Sequence, residues 1–180
     1  MRRFLAENPW LCFFGAAAAA ITVVQLVFVN NYIDPRSEAW VNAAQLRLQF
    51  AFFVDRGLAV VESWGPGGPE RYLSVIWIDL LWPFTYGPAF FLLIRKLDGL
   101  SPWAFMPMLE AGSNLIETSL EIYWMANIER AADMPVLFFA HGVVAAIKWL
   151  VLVPTYFAHS GLLLWRHGLP GRGTQQAAGR

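Results

Sequence analysis

The chain has 180 residues, 57% of them hydrophobic and only 14% charged, where an ordinary soluble domain has roughly 45–50% and about 25%. Thirteen basic residues balance thirteen acidic ones, which excludes the basic surface a nucleic-acid partner would need. A single cysteine, Cys12, excludes an internal disulfide and any cysteine-cluster metal site.

The first apolar run, "PWLCFFGAAAAAITVVQLVFV" over Pro9–Val29, follows Arg2 and Arg3 in the manner of a secretory signal. It exceeds a cleavable apolar core of about 7–15 residues and predicts a retained first span. The connection from Asn30 to Arg71 is long. Ala43, Leu46, Phe50, Phe53, Val54, Leu58 and Val61 recur in it at helical spacing, opposite Asn42, Gln45, Gln49 and Arg56. This pattern predicts one amphipathic helix over residues 38–64, lying on the membrane surface or over the bundle mouth, as a cap or a substrate lid. "WGPGGP" ends it.

The second span runs from Tyr72 to Ile94 and carries Pro83 and Pro88. The third, Trp103–Met125, has Ser101 placed as an N-cap and Pro102 at the first helical position. The fourth, Pro135–Trp165, is longer than one untilted crossing and contains Pro154, which predicts a kink or an exit from the membrane. The expected fold is therefore all-α, an integral membrane four-helix bundle with one extra amphipathic helix. Residues 1–167 form a single transmembrane domain and 168–180 a disordered tail. Arg2, Arg3, Arg95, Lys96, Arg166, Arg172 and Arg180 flank one side of the spans, against Arg130 in the last short loop. Both termini are thus expected in the cytoplasm of a multi-pass cell-membrane protein.

Against this apolar background the ionisable residues fall in stripes. Relative to Glu110, a step of 100° per residue places Asn114 near 40°, Glu117 near −20° and Glu121 near 20°, over about 16 Å of axis. A stripe this narrow faces protein or a cavity, because each central acid facing hydrocarbon costs at least about 2.5 kcal/mol. His141, Lys148, Thr155 and His159 fall within about 40° on the fourth span. Asp79, Trp82 and Tyr86 share a face of the second. Lys148 alone cannot neutralise Asp79, Glu110, Glu117 and Glu121, so some of these acids are expected to stay protonated.

The expected arrangement is an interior polar cavity. Glu117 or Glu121 would donate a proton, and Asp79 or His141 would accept one. Asn114, Lys148, Trp82, Tyr86 and Glu110 would line the ligand site, the aromatic faces steadying any cationic intermediate. No HExxH, Walker or clustered-histidine pattern is present, and neither a metal nor another cofactor is expected.

The four spans, the long first loop, the polar third helix and the acid one turn before an aromatic–proline break in "IDLLWPF" resemble the emopamil-binding and sigma-2 receptor family. The resemblance covers residues 9–165 in architecture and Asp79 with its neighbours in motif. It implies four or five spans around an acidic cavity that holds sterols or cationic amphiphiles, and in one branch a sterol isomerisation by proton transfer. No catalytic residue is carried over from it.

Three functions remain open. The first is binding of a lipid, isoprenoid or other hydrophobic small molecule, with acid–base isomerisation or cyclisation if the protein is an enzyme. The second is a non-catalytic subunit among other membrane subunits. The third is a proton or ion pathway along the stacked acids.

Overall fold

The computed structural model describes residues 7–34 and 44–168. Among these every regular element is helical. We number them α1 (Pro9–Ile33), α2 (Ala44–Gln49), α3 (Val54–Ser63), α4 (Gly68–Asp98), α5 (Met106–Ala126) and α6 (Pro135–His167). Three of them, α1, α4 and α6, are long and apolar enough to cross a membrane, with mean hydropathies of 2.2, 1.3 and 2.2 over their most apolar windows. At 21 residues α5 is also long enough, but it carries Glu110, Glu117 and Glu121.

The long helices alternate in direction. Along α4 and α5, Tyr72 meets Glu121, Asp79 meets Thr118, and Gly87 approaches Pro107 and Ala111. On α6, His141 meets Glu121 and Lys148 meets Asn114, while His159 stacks on Trp103 just before α5 begins. On α1, Gln25 meets Asp79 and Thr22 meets Trp82. α5 is therefore the inner helix. Its buried face holds Glu110, Asn114, Glu117, Thr118 and Glu121, while Leu109, Ile116 and Tyr123 on the opposite face are more than half exposed. Polar groups inside and apolar groups outside is the arrangement a lipid environment favours and water does not.

The apolar core gathers at the end of the bundle that carries Trp64, Tyr72, Trp124 and Phe138, here called the upper end. Arg71 locks that end. Its guanidinium donates to the carbonyls of Ile33, Trp64 and Pro66, so that α1, the α3–α4 turn and α4 are tied by one side chain.

The connection between α1 and α4 departs from expectation. Residues 38–43 of the expected amphipathic helix lie outside the described residues. The rest forms two short helices separated at Phe50–Phe53; in α3 the expected facing holds, with Val61 buried and Arg56 exposed, whereas around α2 it is inverted. Gln45 and Gln49 are buried, whereas Leu46, Phe50 and Phe53 are exposed. The segment descends along the flank of α6. Gly57 packs on Phe138, Phe52 packs on Gly142, and Gln49 accepts a hydrogen bond from Trp149 Nε1 at 2.8 Å. From Phe138 to Trp149 is eleven residues, or about 16 Å down the helix. Only glycines allow the approach, because a β-carbon would stand 2.1 Å from the Phe138 ring at Gly57 and 2.8 Å from the Phe52 ring at Gly142. The hydrophobic periodicity was correct, but the periodicity alone does not say whether the apolar side meets protein or lipid.

Two π-helical turns interrupt the long helices, Val24–Val29 in α1 and Lys148–Leu152 in α6. The second ends two residues before Pro154. A proline ring clashes with the carbonyl four residues back, Leu150 here, and the wider turn gives it room. This is how α6 absorbs Pro154 without breaking.

Candidate functional site

The polar residues of α5 meet partners from both neighbours. Near the upper end, Glu121 accepts a hydrogen bond from the Tyr72 hydroxyl and lies 2.8 Å from His141 Nε2. One turn below, Glu117 forms an ion pair with Lys148, whose ammonium also donates to Asn114 Oδ1 at 2.8 Å. Asp79 accepts from Gln25 Nε2 at 2.5 Å through one oxygen and from Thr118 Oγ1 at 2.7 Å through the other. Glu110 is buried further down, within electrostatic reach of Tyr86 and Tyr156. A buried charge without partners is costly, and here Glu117, Glu121 and Asp79 each have at least one.

Beside this packed seam lie two cavities. The first, about 230 Å³, is called the polar cavity for the side chains that border it, although most of its wall surface is apolar. It is walled by Thr22, Gln25 and Leu26 of α1, Gln45, Leu46 and Gln49 of α2, Asp79 and Trp82 of α4, Asn114 of α5, and Lys148 and Trp149 of α6. Residues of both π-turns border it, Gln25 and Leu26 from α1 and Lys148 and Trp149 from α6. Such turns recur at functional sites because they re-aim side chains without ending the helix. The second cavity, about 440 Å³, is apolar and lies between α1, α4 and α6. Gly15, Ala18 and Ala19 keep the α1 wall thin, and Tyr86, Phe90 and Phe157 close the other side. The two spaces share Thr22, Trp82 and Trp149. Trp82 is held at this boundary by its Nε1 donating to Thr22 Oγ1 at 3.1 Å.

The residues singled out from sequence thus divide. Asp79, Asn114, Lys148 and Trp82 line the polar cavity, and Tyr86 lines the apolar one. Glu117, Glu121 and His141 converge, but in the packed seam, and line neither cavity. Glu110 lines neither as well. One ligand atom each from Glu117, Glu121 and His141 lie within 4.8 Å of one another. The set is nevertheless better suited to charge compensation than to a cation, since a metal ion would stand against the ammonium of Lys148.

Several wall or partner residues are not marked by the sequence pattern, Thr118 at Asp79 among them. Gln45 and Gln49 carry a signal, a polar pair one turn apart, but the helical pattern only sets them opposite the apolar positions. Tyr72 stands seven residues before Asp79, as Tyr86 stands seven after, a spacing that places all three on one helical face. Trp149 had no signal beyond its neighbour Lys148.

No family model, curated protein or solved structure matches this chain.

Proposed function

We propose that this is a four-span membrane protein, both termini cytoplasmic, that binds an amphiphile drawn from the bilayer. The apolar body of the ligand lies between α1, α4 and α6, and its polar head sits at Asp79, Asn114 and Lys148. One observation carries the reading: two largely apolar cavities adjoin at Trp82 and Trp149, one of them bordered by Asp79, Asn114 and Lys148, inside a bundle whose outer surface is apolar. Ligand sites are mostly apolar with a few convergent polar groups, and this pair of spaces has that composition.

The inverted facing of α5, and its position between α4 and α6, support it as the fourth crossing. The basic pair Arg95 and Lys96 before α5 supports the orientation, with Arg130 facing Glu129 and Asp133 in the opposite loop. Reporter fusions after Lys96 and after Arg130 should report cytoplasm and exterior respectively; the same side from both would remove α5 as a crossing.

An acid–base step on the bound amphiphile would fall to Asp79, the carboxyl that lines the polar cavity. Glu117 and Glu121 are turned toward Lys148, Tyr72 and His141 instead. Mass spectrometry of the lipids that co-purify with the protein tests the reading. Asp79→Asn and Trp82→Ala should each lower retention of one species by about tenfold, the worth of one charge-assisted contact. An identical lipid profile for wild type and both variants would refute it.

A further inference from the structure

A third concavity, about 500 Å³, lies on the outer flank of the α2–α3 segment, away from the cavities above. Arg47 and Arg56 line it together with Phe50 and Phe53. Both arginines are exposed, and neither has an ion-pair partner among the described residues. No acid is among the residues that line it. Arg47 is only two residues from Gln49, which meets α6 at Trp149, about 16 Å below Phe138. Arg56 stands beside Gly57, at the level of Phe138. Their attachment points are thus separated along α6, while both side chains line the same concavity on an otherwise apolar face.

On the membrane reading, though independently of the amphiphile cavity, exposed arginines on an apolar flank of the bundle cannot remain there uncompensated. A guanidinium facing hydrocarbon is stable only when it reaches the interface or draws an anion and water to itself. The geometry points to a bound anionic phospholipid of the leaflet at the upper end. Its phosphodiester is held between Arg47 and Arg56, and its chains run over Phe50 and Phe53. The guanidinium fork matches phosphate oxygens in pairs, which a lysine would not. Two charges on one concavity suit a single phosphate, with the aromatic rings covering the glycerol and upper chain segments. Nothing in this recognition uses Asp79, Lys148 or the π-turns.

Native mass spectrometry from nanodiscs of phosphatidylcholine containing phosphatidylglycerol tests the assignment. Wild type should retain one phosphatidylglycerol per chain, and Arg47→Gln with Arg56→Gln should lower that retention by about tenfold or more. Arg95→Gln with Lys96→Gln, which removes the basic pair at the opposite end, should leave it unchanged, as should Asp79→Asn. Equal retention by the Arg47/Arg56 variant, or an equal loss in the Arg95/Lys96 variant, overturns the proposal. Inorganic phosphate in excess should not displace the lipid; displacement would mean a free-anion site. A photoreactive phosphatidylglycerol on the unaltered protein gives a reading that does not depend on folding of a variant. It should label the peptide spanning Arg47 to Val60, and labelling confined to the Leu92–Lys96 region would also overturn it.

Discussion

The packed seam around Glu117 and Glu121 and the polar cavity beside it use the same side-chain chemistry with opposite packing. In the seam, a carboxylate meets a phenol and an imidazole at Glu121, and an ammonium at Glu117. In the cavity, Asp79 takes bonds from Gln25 and Thr118, yet space remains in front of it, shared with Gln45 and Gln49. Lys148 belongs to both, paired with Glu117 and exposed to the cavity. Charge density therefore does not mark the place where space is open. The densest ionisable cluster is the part with no room.

If the seam is structural, breaking it should cost the most. Lys148→Met leaves Glu117 buried without its cation and should destabilise by about 3–5 kcal/mol, and adding Glu117→Gln should recover part of the loss. Thermal melting in detergent of the two single variants and the double variant checks this. Strictly additive losses would mean that the two side chains do not interact.

The wall between cavity and lipid is the next point of attack. Gly57→Ala drives a β-carbon into the Phe138 ring and should cost about 1–3 kcal/mol by displacing α3 from α6. The same variant should speed exchange of backbone amides in α2 and α3 while sparing α5. Uniform loosening of the whole bundle in a hydrogen-exchange measurement would show that α2 and α3 are not a separable wall.

The smallest effect is the most specific to the cavity. Gln49→Ala removes the acceptor for Trp149 Nε1 and should lower stability by only about 0.5–1.5 kcal/mol. It should nonetheless change which lipid co-purifies, because Gln49 faces the polar space. A stability loss with an unaltered lipid profile would place Gln49 with the seam.

Much of this was legible from spacing. The four polar residues Glu110, Asn114, Glu117 and Glu121 of α5 are all buried, as a 100° step requires. Asp79, Trp82 and Tyr86 face the interior as their shared helical face implied. Two things were not legible. A helical wheel gives a face but no environment, so it sets the glutamines of α2 opposite the apolar positions without showing that they face the cavity. The wheel also assumes an unbroken period. On α6 it joined His141 and Lys148 to Thr155 and His159, but below the π-turn the buried residues are Tyr156, Ser160 and Leu163. Thr155 instead bonds the carbonyl of Val151, and His159 sits partly exposed against Trp103 and Asp98.

That π-turn has a consequence for how α6 tolerates sequence change. It stores one residue more than an α-turn would, so the stretch above it and the stretch below it keep separate angular phases. Deleting one residue within Lys148–Leu152 would return the turn to α geometry and leave the positions below in the orientation they already have, but would bring the ring of Pro154 back against the carbonyl four residues before it. Substitutions that keep the turn leave each stretch free to drift under its own constraint. The upper stretch answers to charge pairing and the lower to apolar packing, and the join between them works like a splice in a two-part shaft.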